Sequence, residues 1–433
     1  MKMNKQTTWI LVAMVLGIVV GYACNVMSGS AGAAKEIASY FAMGTDIFLR
    51  LIKMIIAPLI FSTLVAGMAG MGDASTVGRI GGKAIGWFLM ASLVSLGLGL
   101  VFANLFQPGA NVGVPLPEVT AAAGLKTASL NLKDFLTHVF PRNIVEAMAN
   151  NEILQILVFS VFFGLALGSL RDTKARALTE AIEGAVPVML KVTDYVMRFA
   201  PFGVFAAVAN VITTQGLGIL LVYGKFVGSF YVTLAVLWAV LIGAGFVVLK
   251  KDVFRLVKEV RQPMLLGFST ASSEAAYPRV MEKLEGFGVK ERVIGFVLPL
   301  GYSFNLDGSM IYTAFAALFV SQAYGIPLTL DQQILMLLVL MVSSKGIAGV
   351  PRSSLVVVAA VLPMFNLPEA GILLIMGIDH FLDMGRTATN VLGNAIATTV
   401  VAKWENAIGE PVAEYAEDET DAGAELSAVP AAE

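Results

Sequence analysis

The sequence predicts an all-α membrane protein with eight transmembrane helices and two re-entrant helical hairpins, and three observations carry that expectation. Of the 433 residues 57% are hydrophobic and only 14% charged, too few charges to cover a water-exposed surface of that size. Apolar residues gather into runs at 8–26, 85–106, 153–170 and 222–249. Each run is near or above the roughly 20 residues that a helix needs to cross about 30 Å of hydrocarbon. Beyond Arg261 the pattern changes to short apolar arms separated by small or polar residues.

Six ordinary spans are placed at 8–28, 39–70, 84–107, 150–170, 186–213 and 217–249. The first is read as a retained helix, because no small-residue cleavage motif follows its short basic start. The second is long and carries Arg50 and Lys53, which a tilted helix can hold near an interface. Pro201 and Gly203 in the fifth read as a kink. Basic residues cluster at alternate connections: Lys2 and Lys5, then Arg79 and Lys83, then Arg171, Lys174 and Arg176, then five between Lys250 and Arg261. By the positive-inside bias both termini are cytoplasmic, in a cell inner (plasma) membrane. The stretch from 406 to 433, rich in Ala, Glu and Asp, reads as a disordered acidic tail.

Four interrupted segments follow the sixth span. PMLLGFSTASSEAAYPRVMEKL and ILMLLVLMVSSKGIAGVPRSSLVVVAAVL each have apolar arms too short to span around a small-residue tip, the pattern of a hairpin. After each comes an interrupted helix, one broken at Gly-Tyr-Ser-Phe-Asn-Leu-Asp-Gly and one carrying Asp379 to Trp404. Non-helical backbone at membrane depth must be buried in protein or line a cavity, where its free carbonyls and amides can hold ions.

In the last helix Asp379, Asp383, Arg386, Thr387, Asn390 and Asn394 fall at offsets 0, 4, 7, 8, 11 and 15. At about 100° per residue they form one polar stripe. Such groups are costly in hydrocarbon and so face protein or water. A structural Asp–Arg pair locking two helices is one reading. In the other, Arg386 receives a carboxylate, Asp383 one turn earlier receives an ammonium, and Asp379 orients Arg386 from behind. That set describes an amino acid with an extra carboxylate. A C4-dicarboxylate would use Arg386 but be repelled by Asp383. Asn305 and Asp307 read either as caps of a broken helix or as ion ligands, and His380 as lying off the stripe.

Other classes fit poorly. No basic stripe suggests nucleic acid, and Cys24 is the single cysteine. No HExxH or GxSxG motif points to an enzyme, and no cofactor is expected. A passive anion channel has no use for a zwitterion-matched stripe beneath two hairpins.

The chain resembles the dicarboxylate/amino acid:cation symporters, the glutamate transporter family, up to about Glu405. Four motifs in order carry the likeness: the tip Ser269–Pro278, Asn305-Leu306-Asp307-Gly308-Ser309, the tip Ser344–Pro351, and Asp383-Met384-Gly385-Arg386-Thr387 with Asn390. The resemblance implies a homotrimer working by an elevator motion. Residues 1–83 and 108–213 would form a scaffold, and 84–107 and 217–405 a moving transport domain. Substrate would be held by Ser272, Ser273, Ser309, Val350, Pro351, Asp383, Arg386, Thr387 and Asn390. Na⁺ would be held partly by carbonyls at three sites: Gly301, Asn305, Asn390 and Asn394; Ser303, Leu306, Ser344, Lys345 and Ile347; and Asn305, Asp307 and Ser92. Asn394 stands where sodium-driven members often have aspartate, and Phe88 and Ala91 where some have Tyr and Thr. These departures imply weaker Na⁺ binding and coupling to fewer Na⁺ or to H⁺. Glu274 is a candidate proton carrier, with a solvated or Arg279-paired glutamate as the alternative.

Overall fold

A computed structural model describes residues 5–71, 74–110, 116–117, 137, 139–170, 175–216, 223–344, 353–376 and 378–410. The described residues are helical, without strands; one isolated bridge joins Val289 and Ile408. Four helices are long and apolar enough to cross a membrane: α1 (Lys5–Met27), α2 (Ala31–Met71), α3 (Ala74–Phe106) and α8 (Gly224–Leu249).

A short α4 (Ile144–Ala149) precedes the apolar α5 (Ile153–Ser169). The span expected at 186–213 is two helices, α6 (Arg176–Met197) and α7 (Ala200–Gln215), bent by 49° at their junction. Pro201 in the first turn of α7 has no N–H to donate backward, so the kink falls where the sequence places it. The third span begins at Ala74, ten residues before the expected start, because Gly, Ala and a few charges at 74–83 continue the helix without an apolar signal.

The first interrupted segment folds as two packed helices, α9 (Asp252–Thr270) and α10 (Ser273–Phe287), joined by only Ala271 and Ser272. Ala271 is left-handed at φ 50°, and the Ser272 hydroxyl caps α10 by accepting from Ala275 N. The second is α11 (Glu291–Phe304) and α12 (Asp307–Ala323), broken at Asn305 and Leu306, whose ψ angles of 72° and 57° leave the helical region. α13 (Leu330–Ser343) and α14 (Ser353–Val361) are the arms of the third, with residues 345–352 outside the described set. A short α15 (Ile372–Met376) leads to the continuous α16 (Asp379–Trp404).

The helices pack in two groups. α2 is the axis of one, with α5, α6 and α7 against it and α1 against α7. Its apolar window is 67% buried, against 22–33% for the other three long helices, so most of its surface faces protein rather than lipid. α16 is the axis of the other, surrounded by α8, α9, α10, α11 and α12, with α3 on the outside of α12. The groups meet chiefly where α11 crosses α2. There both surfaces are stripped to glycine: a Cβ on Gly67 would stand 3.0 Å from Arg292 Cα, and one on Gly295 3.0 Å from Thr63 O. Two ion pairs cross the same boundary. Lys53 Nζ of α2 faces Glu274 of α10 at 3.9 Å, and Arg279 of α10 meets Asp194 of α6 at 2.9 Å.

Candidate substrate and cation site

A cavity of about 400 Å³ opens between the two groups. The α9–α10 turn supplies Ser272, Ser273 and Glu274; the broken helix supplies Leu306 and Ser309; α16 supplies Asp379, Asp383, Arg386, Asn390 and Asn394. Ser344 lies on its wall at the end of α13. Residues scattered over more than a hundred positions therefore reach one space.

Arg386 is mostly buried, with its side chain 13% exposed, and its contacts include two directed ones. Its Nη2 lies 2.5 Å from Asp383 Oδ1, and its Nη1 donates to Ser354 Oγ at 2.7 Å. Thr387, fully buried, donates to the same Asp383 oxygen at 3.3 Å. Asp383 and Arg386 thus neutralise one another on the cavity wall, which lowers the cost of burying either charge. Asp379 accepts a 2.6 Å bond from Tyr312 of α12, so its carboxylate is fixed by a second helix. Asn390 bridges to the break: its Oδ1 accepts from Gly308 N at 2.8 Å and its Nδ2 donates to Ser309 Oγ at 3.1 Å. That bond satisfies one of the amides left open at the start of α12.

Beside the cavity lies a second polar cluster, with Asn305 and Asp307 at Gly393, and Asn394, which also lines the cavity, at Gly301; Ser92 and Ser303 are buried as well. Ser92, Ser303, Asn305, Asp307 and Asn394 are each at most 2% exposed. Two glycines let it form. A Cβ on Gly393 would overlap Asp307 Oδ2, and a Cβ on Gly301 would overlap Asn394 Oδ1. Among the described residues no protein group hydrogen-bonds either side-chain atom of Asn305, Asn394 Oδ1 or Ser303 Oγ. Each such group costs about 1–3 kcal/mol when buried without a partner. Convergent oxygen donors with a carboxylate among them suit a hard monovalent cation. Capping alone does not account for Asn305, whose side chain caps nothing.

Some expectations need correction. Arg279 does not pair with Glu274; it meets Asp194 and Glu282 instead. Five residues apart on one helix, Arg279 and Glu274 point about 140° away from each other. Glu274 faces Lys53, which also lines the cavity. His380, expected off the stripe, also lines the cavity. Val350, Pro351, Lys345 and Ile347 lie outside the described residues. Tyr312, Lys53 and Ser354 were not singled out from the sequence as site residues. A lysine in an apolar helix was a usable signal for Lys53; nothing local marks Ser354 or Tyr312.

The sequence matches known proteins along most of its length. The family model for the sodium:dicarboxylate symporter family matches residues 7–404. The chain is 42% identical over 406 residues to the proton/glutamate-aspartate symporter of Escherichia coli (strain K12), covering 92% of each chain. It is 39% identical over 406 residues to the proton/sodium-glutamate symport protein of Geobacillus stearothermophilus, covering 93% of this chain and 94% of the relative. It is 40% identical over 407 residues to the C4-dicarboxylate transport protein of Brucella anthropi, covering 92% and 88%. With the family model spanning residues 7–404 and relatives 39–42% identical over more than nine-tenths of its length, the chain belongs to the sodium:dicarboxylate symporter family.

Proposed function

We propose that this protein is a secondary symporter that takes up glutamate or aspartate together with Na⁺, H⁺ or both. The observation that carries the reading is the Asp383–Arg386 pair, 2.5 Å apart on the cavity wall. An acidic amino acid can replace both halves of that pair at once: its ammonium takes Asp383 and its side-chain carboxylate takes the planar fork of Arg386. Those two substrate groups balance Asp383 and Arg386, and the α-carboxylate adds one net negative charge, which a co-transported cation offsets. Hydroxyls and amides at Ser272, Ser273, Ser309, Thr387 and Asn390 remain for the α-carboxylate.

A C4-dicarboxylate is the second reading, favoured by relatives of that name at 40% identity. Identity does not separate the two, since the glutamate symporters match at 39–42%. Asp383 favours the amino acid, because a second substrate carboxylate would be set against it.

The cation sites fall in the knot of Ser92, Asn305, Asp307 and Asn394, joined by carbonyls of Gly301 and Asn390. Another uses Ser303, Leu306 and Ser344 with Lys345 and Ile347. Asn394 brings an oxygen without a charge, which weakens Na⁺ binding and favours partial use of H⁺, with Glu274 beside Lys53 as its carrier. In the family's elevator motion the group around α16 moves past the group around α2, in a homotrimer with cytoplasmic termini. The paired glycine surfaces of α2 and α11 support a sliding boundary, since neither side presents a knob to the other.

Counterflow with labelled glutamate, aspartate and succinate in proteoliposomes, with Na⁺ and H⁺ gradients imposed separately, tests the reading. Arg386→Ala should abolish amino-acid uptake in a folded protein, and Asp383→Ala should cost amino acids more than succinate. Preferred succinate uptake by the wild type overturns the substrate class.

A further inference from the structure

Ser354 is 5% exposed, lines the cavity and accepts from Arg386, yet the proposed substrate contacts give it no part. We propose that Ser354 is a positioning residue whose hydroxyl fixes the plane of the Arg386 guanidinium and thereby sets which acidic side chain the site prefers. This rests on the reading that Arg386 receives the substrate's side-chain carboxylate.

The geometry makes the need plain. Arg386 hangs from α16 by a long flexible stem, and Asp383 sits one turn earlier on the same helix. An intrahelical partner at i−3 draws the guanidinium down along its own helix and leaves it free to pivot about that contact. The 2.7 Å bond to Ser354 comes from a different element, α14, which packs against α12. Nη2 at Asp383 and Nη1 at Ser354 hold the planar group before binding, and Ser354 keeps its hold when the substrate replaces Asp383.

The chemistry of the second point also matters. A hydroxyl is a neutral acceptor. It satisfies an N–H without competing for the charge, so the guanidinium keeps its attraction for an incoming carboxylate. A carboxylate in the same place would hold Arg386 permanently, and an alanine would leave an N–H of a buried cation without this acceptor. Aspartate and glutamate differ by one methylene, so a small displacement of the fork changes which of them reaches it. Misplacements of that size carry large consequences in oriented sites.

Uptake kinetics in proteoliposomes test the assignment with four proteins: wild type, Arg386→Ala, Ser354→Ala and Ser354→Thr. Ser354→Ala should raise KM for both amino acids about ten-fold. It should also shift the aspartate-to-glutamate KM ratio about three-fold or more, with maximal rate within about two-fold. Ser354→Thr, which restores a hydroxyl, should return the ratio toward wild type. A purely structural role for Ser354 would lower maximal rate and thermal stability together and leave the ratio alone. If Ser354→Ala does not fold, Ser354→Cys replaces it, and the thiol should shift the ratio where Thr does not. An unchanged KM ratio in a folded Ala or Cys variant overturns the proposal. Normal uptake by Arg386→Ala instead removes the reading of Arg386 beneath it; dead Arg386→Ala beside wild-type Ser354→Ala sinks only the role of Ser354.

Discussion

Gly393 carries no side chain, and the carboxylate of Asp307 lies in the space a Cβ would take. Asp307 is fully buried, so it cannot retreat to water when pushed. Gly393→Ala should therefore displace the carboxylate rather than unfold α16, where alanine is the better helix former. Overpacking of this kind costs about 1–3 kcal/mol. Because the displaced group belongs to the proposed cation knot, the cation concentration for half-maximal uptake should rise about ten-fold or more. Na⁺ and H⁺ titrations of uptake, alongside thermal unfolding, measure the two effects. Unaltered cation dependence in a destabilised variant would reduce Asp307 to a packing residue. Asp307, Asn305 and Asn394 were legible in the sequence because polar groups are expensive at membrane depth. The glycines that admit them were not. The chain has 42 glycines, and what distinguishes Gly301 and Gly393 is a side-chain oxygen from a distant position, overlapping the place where a Cβ would stand.

Between elements the informative feature is the boundary where α10 and α11 lie on α2 and α6. Arg279 is buried there, held by Glu282 on its own helix and by Asp194 across the boundary. Asp194→Asn removes only the crossing half, and Glu282 keeps the charge of Arg279 paired. Because Asp194 is one-third exposed, the loss in folding stability should stay within about 1 kcal/mol. If the two groups part in every cycle, that same energy is returned to the rate. Maximal uptake should then rise up to about five-fold, with KM unchanged. Initial-rate measurements over a range of glutamate concentrations decide it, and a slower or unchanged maximum removes this pair from the rate-limiting movement. The break at Asn305–Leu306 and the kink before Pro201 could be read from residue chemistry, whereas the tip expected over Ser269–Pro278 narrows to Ala271 and Ser272, because helix continues through both flanks and through Pro278. The partners of Lys53 and Arg279 could not be read in this way. Hydropathy reports how apolar a helix is, while which of its charges face a neighbour depends on packing that only the assembled bundle contains.

The group of helices around α16 is fastened at one end through residues that hydropathy treats as an afterthought. Glu405, just beyond α16, accepts from Arg79 Nη2 at 2.9 Å and Lys83 Nζ at 2.6 Å, both on α3. Immediately after it, Lys290 N donates to Ala407 O at 2.9 Å and Gly409 N to Gly288 O at 2.8 Å, tying the end of α16 to the α10–α11 connection. Trp87 and Trp404 stack edge to face beside this fastening, 5.9 Å apart. The Glu405 side chain is 5% exposed, so its charge is satisfied by these partners rather than by water. The hydrogen bond from Arg79, with Lys83 beside it, holds its carboxyl below the ordinary carboxylate range. A carboxyl depressed in the folded state stabilises that state fully above its unfolded pKa of about 4.3, and loses the contribution as pH falls toward the folded value. Glu405→Gln should accordingly lower the unfolding midpoint in detergent by about 1–2 °C at pH 7, a modest figure because Arg79 is half exposed. The gap between variant and wild type should close as the pH is lowered past about 4. A gap that persists at low pH would mean that shape and packing of Glu405, rather than its charge, close this end of the molecule.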